Sequence, residues 1–123
     1  MQYLLMVYVN EAGFQKLSKA EQDAGVAAYT AYFQALKNSG TIVGLNRLQP
    51  SSTATTLRIT DGKTQVLDGP YADSKEQLGG YYIIEVADFD AALSWAARCP
   101  ATGHGTVEVR PFWAMPEAAK TQA

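Results

Sequence analysis

The sequence has 123 residues, a length that suits one domain, and its hydrophobic content of 47% with a formal net charge of −2 is typical of a soluble globular chain. The ten basic residues are scattered, which excludes the basic stripe of an ordinary nucleic-acid-binding protein. One cysteine excludes an internal disulfide, and one cysteine with one histidine excludes a typical zinc site, so we expect no metal and no cofactor.

The first predicted element is a strand over residues 3–9, in which both alternating faces are apolar. The run is too short to span a bilayer and lies too close to Met1 for a signal peptide, so we expect a cytoplasmic protein with no membrane partner. A strand that is apolar on both sides is covered on both sides. Helices of the same chain cover one face, and the pattern indicates a partner subunit on the other.

The sequence predicts two helices. Ser18 and Glu21 have the spacing of a capping box, which places a helix start there, and Gly40 is the expected left-handed cap at its end. Asp88 is the expected N-cap of a second helix, which Pro100 stops. The expected core-facing residues are Val26, Tyr29, Phe33 and Leu36 in the first helix and Phe89, Ala92, Leu93, Ala96 and Cys99 in the second.

Further strands are predicted over residues 41–48, 81–86 and 106–110, with a β-hairpin at 55–67 around an Asp-Gly turn. The order is therefore β-α-β, a hairpin, and β-α-β. Without the hairpin this is the ferredoxin-like split βαβ arrangement, so the predicted fold is α+β with an inserted hairpin, in one domain over residues 1–123. The end of the chain, from about 114 to 123, is predicted to be a loose tail.

The stretch from residue 66 to residue 86 runs from a strand through a turn and a charged loop into a central strand. Asp68-Gly69-Pro70 predicts a sharp turn, because glycine accepts positive φ and proline removes an amide donor. Gly79-Gly80 opens the next strand, where a glycine pair marks a bulge or a close approach by other backbone or a ligand.

An ordered set of motifs, covering nearly the whole chain, resembles the DGPF-type proteins of the YCII-related family, with Tyr71 where those usually carry Phe. Each piece alone is a weak signal, and the ordered set is specific. The pieces are Tyr3-Leu4-Leu5, Thr55-Thr56-Leu57-Arg58, the 66–86 stretch, Ala96-Ala97-Arg98-Cys99-Pro100 and the run from His104 to Pro111.

The resemblance implies a dimeric α+β barrel, in which the sheets of two subunits pack face to face. We therefore expect a homodimer. Glu108 and Arg110 share one face of the last strand, where an ion-paired network at the subunit interface is expected. The full set of expected interface residues is Tyr3, Leu5, Val7, Tyr81, Ile83, Glu108 and Arg110.

The family has no generally established activity, so the resemblance implies a shape rather than a reaction. Some YCII-type proteins are thought to use a His–Asp pair whose histidine lies near the first helix. Glu21, Gln22 and Asp23 occupy that region here, so the pair is not carried over. Relatives are often encoded beside extracytoplasmic-function sigma factors, which implies a link to such signalling.

Asp68, Lys75 and His104 are the candidate catalytic residues, and together with Tyr71 they are the candidate ligand-binding residues. Asp68 lies at a strand end, where its alternative role is to form the turn. Lys75 lies in a charged loop, where the alternative is a solvated surface or a subunit rim. His104 is the side-chain type that ordinarily titrates near neutral pH; its alternative is an incidental loop residue. We expect Asp68 and His104 to face one pocket from opposite sides.

Three function classes follow from these observations. The first is a small-molecule-binding or enzymatic protein with a cleft near the Asp68-Gly69-Pro70 turn. The second is a non-catalytic interaction or regulatory module, linked to sigma-factor signalling. The third is a structural dimer in a larger assembly, since this kind of fold serves many functions.

Overall fold

The computed structural model describes residues 1–114 as an α+β fold with six strands and three α-helices among them. Two single turns of 3-10 helix, Ser51–Thr53 and Pro100–Gly103, precede the hairpin and the last strand. The elements in chain order are β1 (Gln2–Val9), α1 (Glu11–Gln15), α2 (Lys19–Asn38), β2 (Ile42–Arg47), β3 (Thr55–Thr60), β4 (Lys63–Asp68), β5 (Gln77–Glu85), α3 (Phe89–Arg98) and β6 (Thr106–Pro111).

The main sheet has four strands in the order β2-β5-β1-β6, and every neighbouring pair is antiparallel. This is the order of the ferredoxin-like split βαβ fold, which confirms the predicted fold class. Strands β3 and β4 form a separate two-stranded sheet, the predicted hairpin, inserted between β2 and β5.

Side-chain caps begin the two long helices where the sequence predicts. The Ser18 hydroxyl accepts a hydrogen bond from the Glu21 amide, and the Glu21 carboxylate accepts one from the Ser18 amide, each at 3.1 Å. The backbone and side-chain hydrogen bonds of Ser18 hold the pKa of the Glu21 carboxyl below its usual range. Asp88 accepts a hydrogen bond from the Ala91 amide at 2.8 Å.

In α2, Leu36 is buried as predicted and Tyr29 packs against the core, whereas the buried residue between them is Tyr32 rather than Phe33. Tyr32 and Leu36 are buried, whereas Val26 is exposed, so the expectation for Val26 is wrong. The Tyr32 hydroxyl donates to the Trp95 carbonyl at 2.7 Å and thereby joins the two long helices. In α3 the small residues Ala92, Ala96 and Cys99 are buried as predicted, whereas Phe89 and Leu93 are exposed.

One face of the main sheet packs against α2 and α3 to form the core. Tyr3, Leu5 and Val7 of β1 lie in this core, with Tyr82 and Ile84 of β5. The expectation that Tyr3, Leu5 and Val7 form a subunit interface is therefore wrong. Because successive residues of a strand point to opposite faces, the expectation assigned the wrong half of β1 to the interface.

The other side of the main sheet, hereafter the open face, carries Leu4, Met6 and Tyr8 of β1, none of which belongs to the buried core. The expected interface residues Tyr81 and Ile83 have the parity of this face, because their neighbours Tyr82 and Ile84 are buried on the helix side. Glu108 and Arg110 of β6 also lie here, and their side chains form an ion pair at 2.8 Å.

Two glycines in the 66–86 stretch fulfil the backbone roles that the sequence predicts. Gly69 has a φ of +104°, in the region that residues with a side chain rarely adopt. A Cβ atom at Gly80 would lie 2.7 Å from the Asn46 carbonyl oxygen, so the edge strand β2 and its neighbour β5 approach closely only because this position has no side chain. The predicted tail lies outside the described residues, except for Ala114.

None of the helices described in residues 1–114 has both the length and the apolar character that a membrane crossing requires.

The turn at Gly69 makes a direct test of the backbone argument. We expect Gly69→Ala to lower the free energy of unfolding by about 1–2 kcal/mol, because a positive φ strains any residue with a Cβ. Gly103→Ala is the matched control, since Gly103 has open space for a Cβ and no positive φ. Tyr71→Phe, at an exposed side chain, should change stability by less than about 0.5 kcal/mol. Urea unfolding measures all three, and equal values for Gly69→Ala and the parent would contradict the argument.

Candidate functional site

Four strand ends meet at one end of the main sheet, and two of the four candidates, Lys75 and His104, lie there. Strands β1 and β2 end at this point, where β5 and β6 begin. The strand pairing places Tyr8 opposite Leu78 and Thr106, and Arg47 opposite Gly80. The connections that leave these strand ends, including the hairpin and the loop before β6, therefore gather at the same end.

A cavity of about 650 Å³ lies at this end of the sheet, within the range of sites that hold small molecules. Its walls come from the ends of β1 and β6, the start of α1 and the loop between the hairpin and β5. The lining residues are Tyr8, Asn10, Ala72, Ser74, Lys75, Glu76, His104 and Thr106.

Hydrogen bonds hold the loop wall of this cavity in place. The Thr106 hydroxyl donates to a Glu76 carboxylate oxygen at 2.7 Å, which ties the loop to the first residue of β6. The Ser74 hydroxyl donates to the Glu76 carbonyl, and the Gln77 side-chain amide donates to the Ser74 carbonyl at 2.9 Å. These bonds fix a carboxylate at the cavity wall.

The opposite wall begins at the short helix α1. Asn10 caps this helix by accepting a hydrogen bond from the Gly13 amide at 3.0 Å. The Glu11 amide donates to the Gln77 side chain at 3.1 Å, and the Glu11 carboxylate accepts from the Ser51 amide and hydroxyl, each at 2.8 Å. Helix α1 is thus joined both to β5 and to the residues that lead into the hairpin.

His104 stands between the 3-10 turn and β6, with an exposed side chain at the cavity. Its ring meets the Tyr29 ring edge-on, with 6.4 Å between ring centres. Within residues 1–114, neither the His104 imidazole nor the Lys75 ammonium has a hydrogen-bonding or ion-pair partner. The cavity therefore presents an imidazole and an ammonium whose polar atoms are available, beside the fixed carboxylate of Glu76.

Two largely buried tyrosines, of which Tyr29 packs against His104, remain protonated well above neutral pH. Burial raises the pKa of Tyr29 to about 12, and burial likewise raises the pKa of Tyr82 to about 12. The neutral phenol of Tyr29 packs against the imidazole without adding a charge to the site.

A second, smaller cavity of about 310 Å³ lies beside the hairpin and contains the other two candidates, Asp68 and Tyr71. Thr56, Arg58, Leu67 and Pro70 complete its lining. The cleft beside the Asp68-Gly69-Pro70 turn therefore exists. The structure brings Lys75 and His104 together in the larger cavity and places Asp68 at the smaller one.

Asn10 and Thr106 are site residues that the sequence reasoning missed. The signal for Asn10 was an N-cap residue directly after a strand, which indicates a helix start at a strand end. Thr106 gave no such signal, because its contact with Glu76 joins residues that are 30 positions apart. Among residues 1–114, no three His, Cys, Asp or Glu side chains cluster closely enough to hold a metal ion.

Comparison with known proteins agrees with the fold. The YCII-related domain matches residues 1–116 of the chain. The chain belongs to the YCII-related family. One family relative, an uncharacterised protein of Rhizobium meliloti (strain 1021), is 36% identical over 116 residues, which are 91% of this chain and 92% of the relative.

A solved structure has a similar fold to this YCII-related protein. It is the 5-chloro-2-hydroxyhydroquinone dehydrochlorinase TftG from Burkholderia phenoliruptrix AC1100, in complex with 2,5-dihydroxybenzoquinone. The TM-score is 0.56 at 21% identity, covering 96% of this chain and 98% of the other. At that identity the likeness supports the fold alone.

The buried tyrosines predict how stability depends on alkaline pH. Because the pKa of Tyr29 rises from 10 to about 12 on folding, the folded state holds its phenol proton more tightly than the unfolded state. This contribution is fully present below pH 10 and is lost as the pH rises toward about 12. Tyr29→Phe should therefore reduce the fall in melting temperature over this range. Tyr71→Phe, which alters an exposed phenol, should leave the fall unchanged, and the same curve for both variants would contradict the assignment.

Proposed function

We propose that the protein binds a small polar molecule bearing an anionic or enolic oxygen in the cavity formed by Tyr8, Lys75, Glu76 and His104. The observation that carries this proposal is the pairing of Lys75 and His104 at one cavity of suitable volume, with no partner for either side chain among residues 1–114. An ammonium and an imidazole N–H both donate to oxygen, and bonds from charged donors are the stronger ones.

The same groups support proton transfer to or from the bound molecule. Histidine is the side-chain type that accepts and releases a proton near neutral pH, which suits a general acid or base. Glu76 is held by Thr106 and Ser74 at the cavity wall, where it offers a second carboxylate oxygen to a ligand hydroxyl. We infer an acid–base reaction on an enolic or phenolic molecule, with His104 as the exchanging group and Lys75 stabilising the oxyanion.

The dehydrochlorinase of similar fold supports the ligand class. That enzyme is a dehydrochlorinase of 5-chloro-2-hydroxyhydroquinone, and its structure contains 2,5-dihydroxybenzoquinone. Such molecules are small, planar and rich in acidic hydroxyl groups. A similar fold that binds one of them supports a small hydroxylated ring as the ligand of this chain.

We further propose that the protein is a homodimer in which two open faces pack together. The support is the apolar character of Leu4, Met6 and Ile83 on a face that the helices of the same chain do not cover. Tyr8 lies on this face, because its hydroxyl contacts the Met6 sulfur, and Thr106 is directly opposite it. Two residues of the cavity thus border the proposed interface.

The ligand proposal is tested with 2,5-dihydroxybenzoquinone as the probe. We expect saturable binding by isothermal titration, weakened about tenfold or more by His104→Gln and by Lys75→Gln, since each removes a charge-assisted hydrogen bond. Lys63→Gln is the matched control, because Lys63 lies in the hairpin and outside the cavity. Equal affinity for the three variants would contradict the site, and no binding by the parent would contradict the ligand class.

The dimer proposal is tested by sedimentation equilibrium at micromolar concentration. We expect a dimer whose interface buries about 2,000 Å² or more in total, as obligate dimers do. Ile83→Glu should yield monomers, because it places a charge at the centre of the open face. Val26→Glu, an exposed change on α2, should leave the dimer intact. A well-folded parent monomer would contradict the proposal.

A further inference from the structure

The hairpin β3–β4 exposes an unusual amount of apolar surface. Leu57, Ile59 and Val66 are 61%, 71% and 60% exposed. Leu57 and Val66 are directly opposite each other in the strand pairing, and Ile59 lies two residues further along the same face. The three side chains therefore form one continuous patch, hereafter the hairpin patch.

The reverse side of the hairpin is mostly polar, with Leu67, opposite Thr56, as its one large apolar side chain. Arg58 is paired with Gln65, and Thr60 with Lys63, on the face opposite the hairpin patch. A two-stranded sheet that is apolar on one face and polar on the other is typical of a sheet with one buried and one solvated side. The alternation thus indicates that the hairpin patch is covered in the working protein.

The hairpin needs such support for its own stability. A single two-stranded hairpin is marginally stable in water. Bonds at its root close the hairpin, with the Gly69 amide donating to the Ala54 carbonyl at 2.7 Å and the Thr56 hydroxyl donating to the Gly69 carbonyl at 2.8 Å. The link to the rest of the chain runs through Ser51 and the Glu11 carboxylate. These bonds hold the root and leave the patch beyond it without cover.

Area arguments point to a second copy of this chain as the cover. Four strands about 4.8 Å apart and about six residues long give the open face a footprint of roughly 400 Å². A specific, stable interface of standard size buries about 800 Å² on each subunit, so the open face alone supplies only about half of the area. In a two-fold dimer, each subunit buries its own hairpin patch and also the surface that the partner's hairpin covers. These two contacts together add roughly 400 Å² to the buried area of each subunit.

We propose that β3–β4 is a dimerisation arm whose hairpin patch packs against the second copy of this chain. The arm is inserted between β2 and β5 and leaves the main sheet at the end where the cavity lies. This inference rests on the proposed homodimer and adds a second contact surface to it.

The first experiment compares two substitutions on adjacent residues of β4. Val66→Asp places a charge in the hairpin patch, and Gln65→Asp places the same side chain on the polar face. We expect Val66→Asp to raise the dimer dissociation constant about 100-fold, as loss of a central interface contact does, and Gln65→Asp to leave it unchanged. Sedimentation equilibrium measures both, and circular dichroism reports whether each variant is folded.

The possible outcomes distinguish failure of the arm proposal from failure of the dimer proposal. A parent that is monomeric overturns both proposals. A dimeric parent with an equally tight Val66→Asp dimer overturns the arm alone. A tetrameric parent with a dimeric Val66→Asp variant also overturns the arm, because the hairpin patch would then join one dimer to another.

A second measurement applies even where Val66→Asp fails to fold. A spin label attached through Lys63→Cys lies on the polar face of the arm, and the native Cys99 is buried, which directs the reagent to the introduced thiol. Spin-labelled copies are mixed with isotope-labelled copies that carry no spin label. We expect line broadening in the amide signals of the isotope-labelled subunit. A mixed dimer without such intermolecular broadening overturns the arm.

Discussion

The two-sided apolar character of β1 is the constraint on which the rest of the structure depends. Tyr3, Leu5 and Val7 are buried under the helices, and the alternate residues Leu4 and Met6 are apolar as well. The fold supplies helices to one face of the main sheet only. One set of side chains thus builds the core. The other set is an apolar surface that needs cover, and the described residues of the single chain do not supply that cover.

The order of the strands determines where the candidate site lies. In the β2-β5-β1-β6 sheet, two strands end and two begin at the same end of the sheet, so loops from distant parts of the sequence meet there. Glu76 and Thr106 come into contact for this reason, and Lys75 and His104 come to share one cavity. The rigid sheet positions the loop residues, which is the usual division between scaffold and site.

The sequence predicts the local features well and the placement of faces poorly. The capping box at Ser18 and the positive φ at Gly69 depend on neighbouring residues alone, and both are present. The expected interface at Tyr3, Leu5 and Val7 is wrong, because a strand that is apolar on both sides carries no signal for which parity faces the helices. The separation of Asp68 from the His104 cavity depends on the direction in which the hairpin leaves the sheet, and no local motif encodes that direction.

The Glu11 carboxylate gives one support to two functional surfaces. Glu11 is the first residue of the helix that Asn10 caps at the cavity wall. Its carboxylate accepts the hydrogen bonds of Ser51 at the root of the hairpin. If the proposed ligand displaces the start of α1, it would therefore also move the root of the hairpin in the proposed dimer. Thermodynamic linkage makes such coupling reciprocal, so subunit association would alter ligand affinity by the same factor by which the ligand alters association. Ligand titrations at protein concentrations below and above the dimer dissociation constant measure that factor, and a factor of one would show that the shared support transmits nothing.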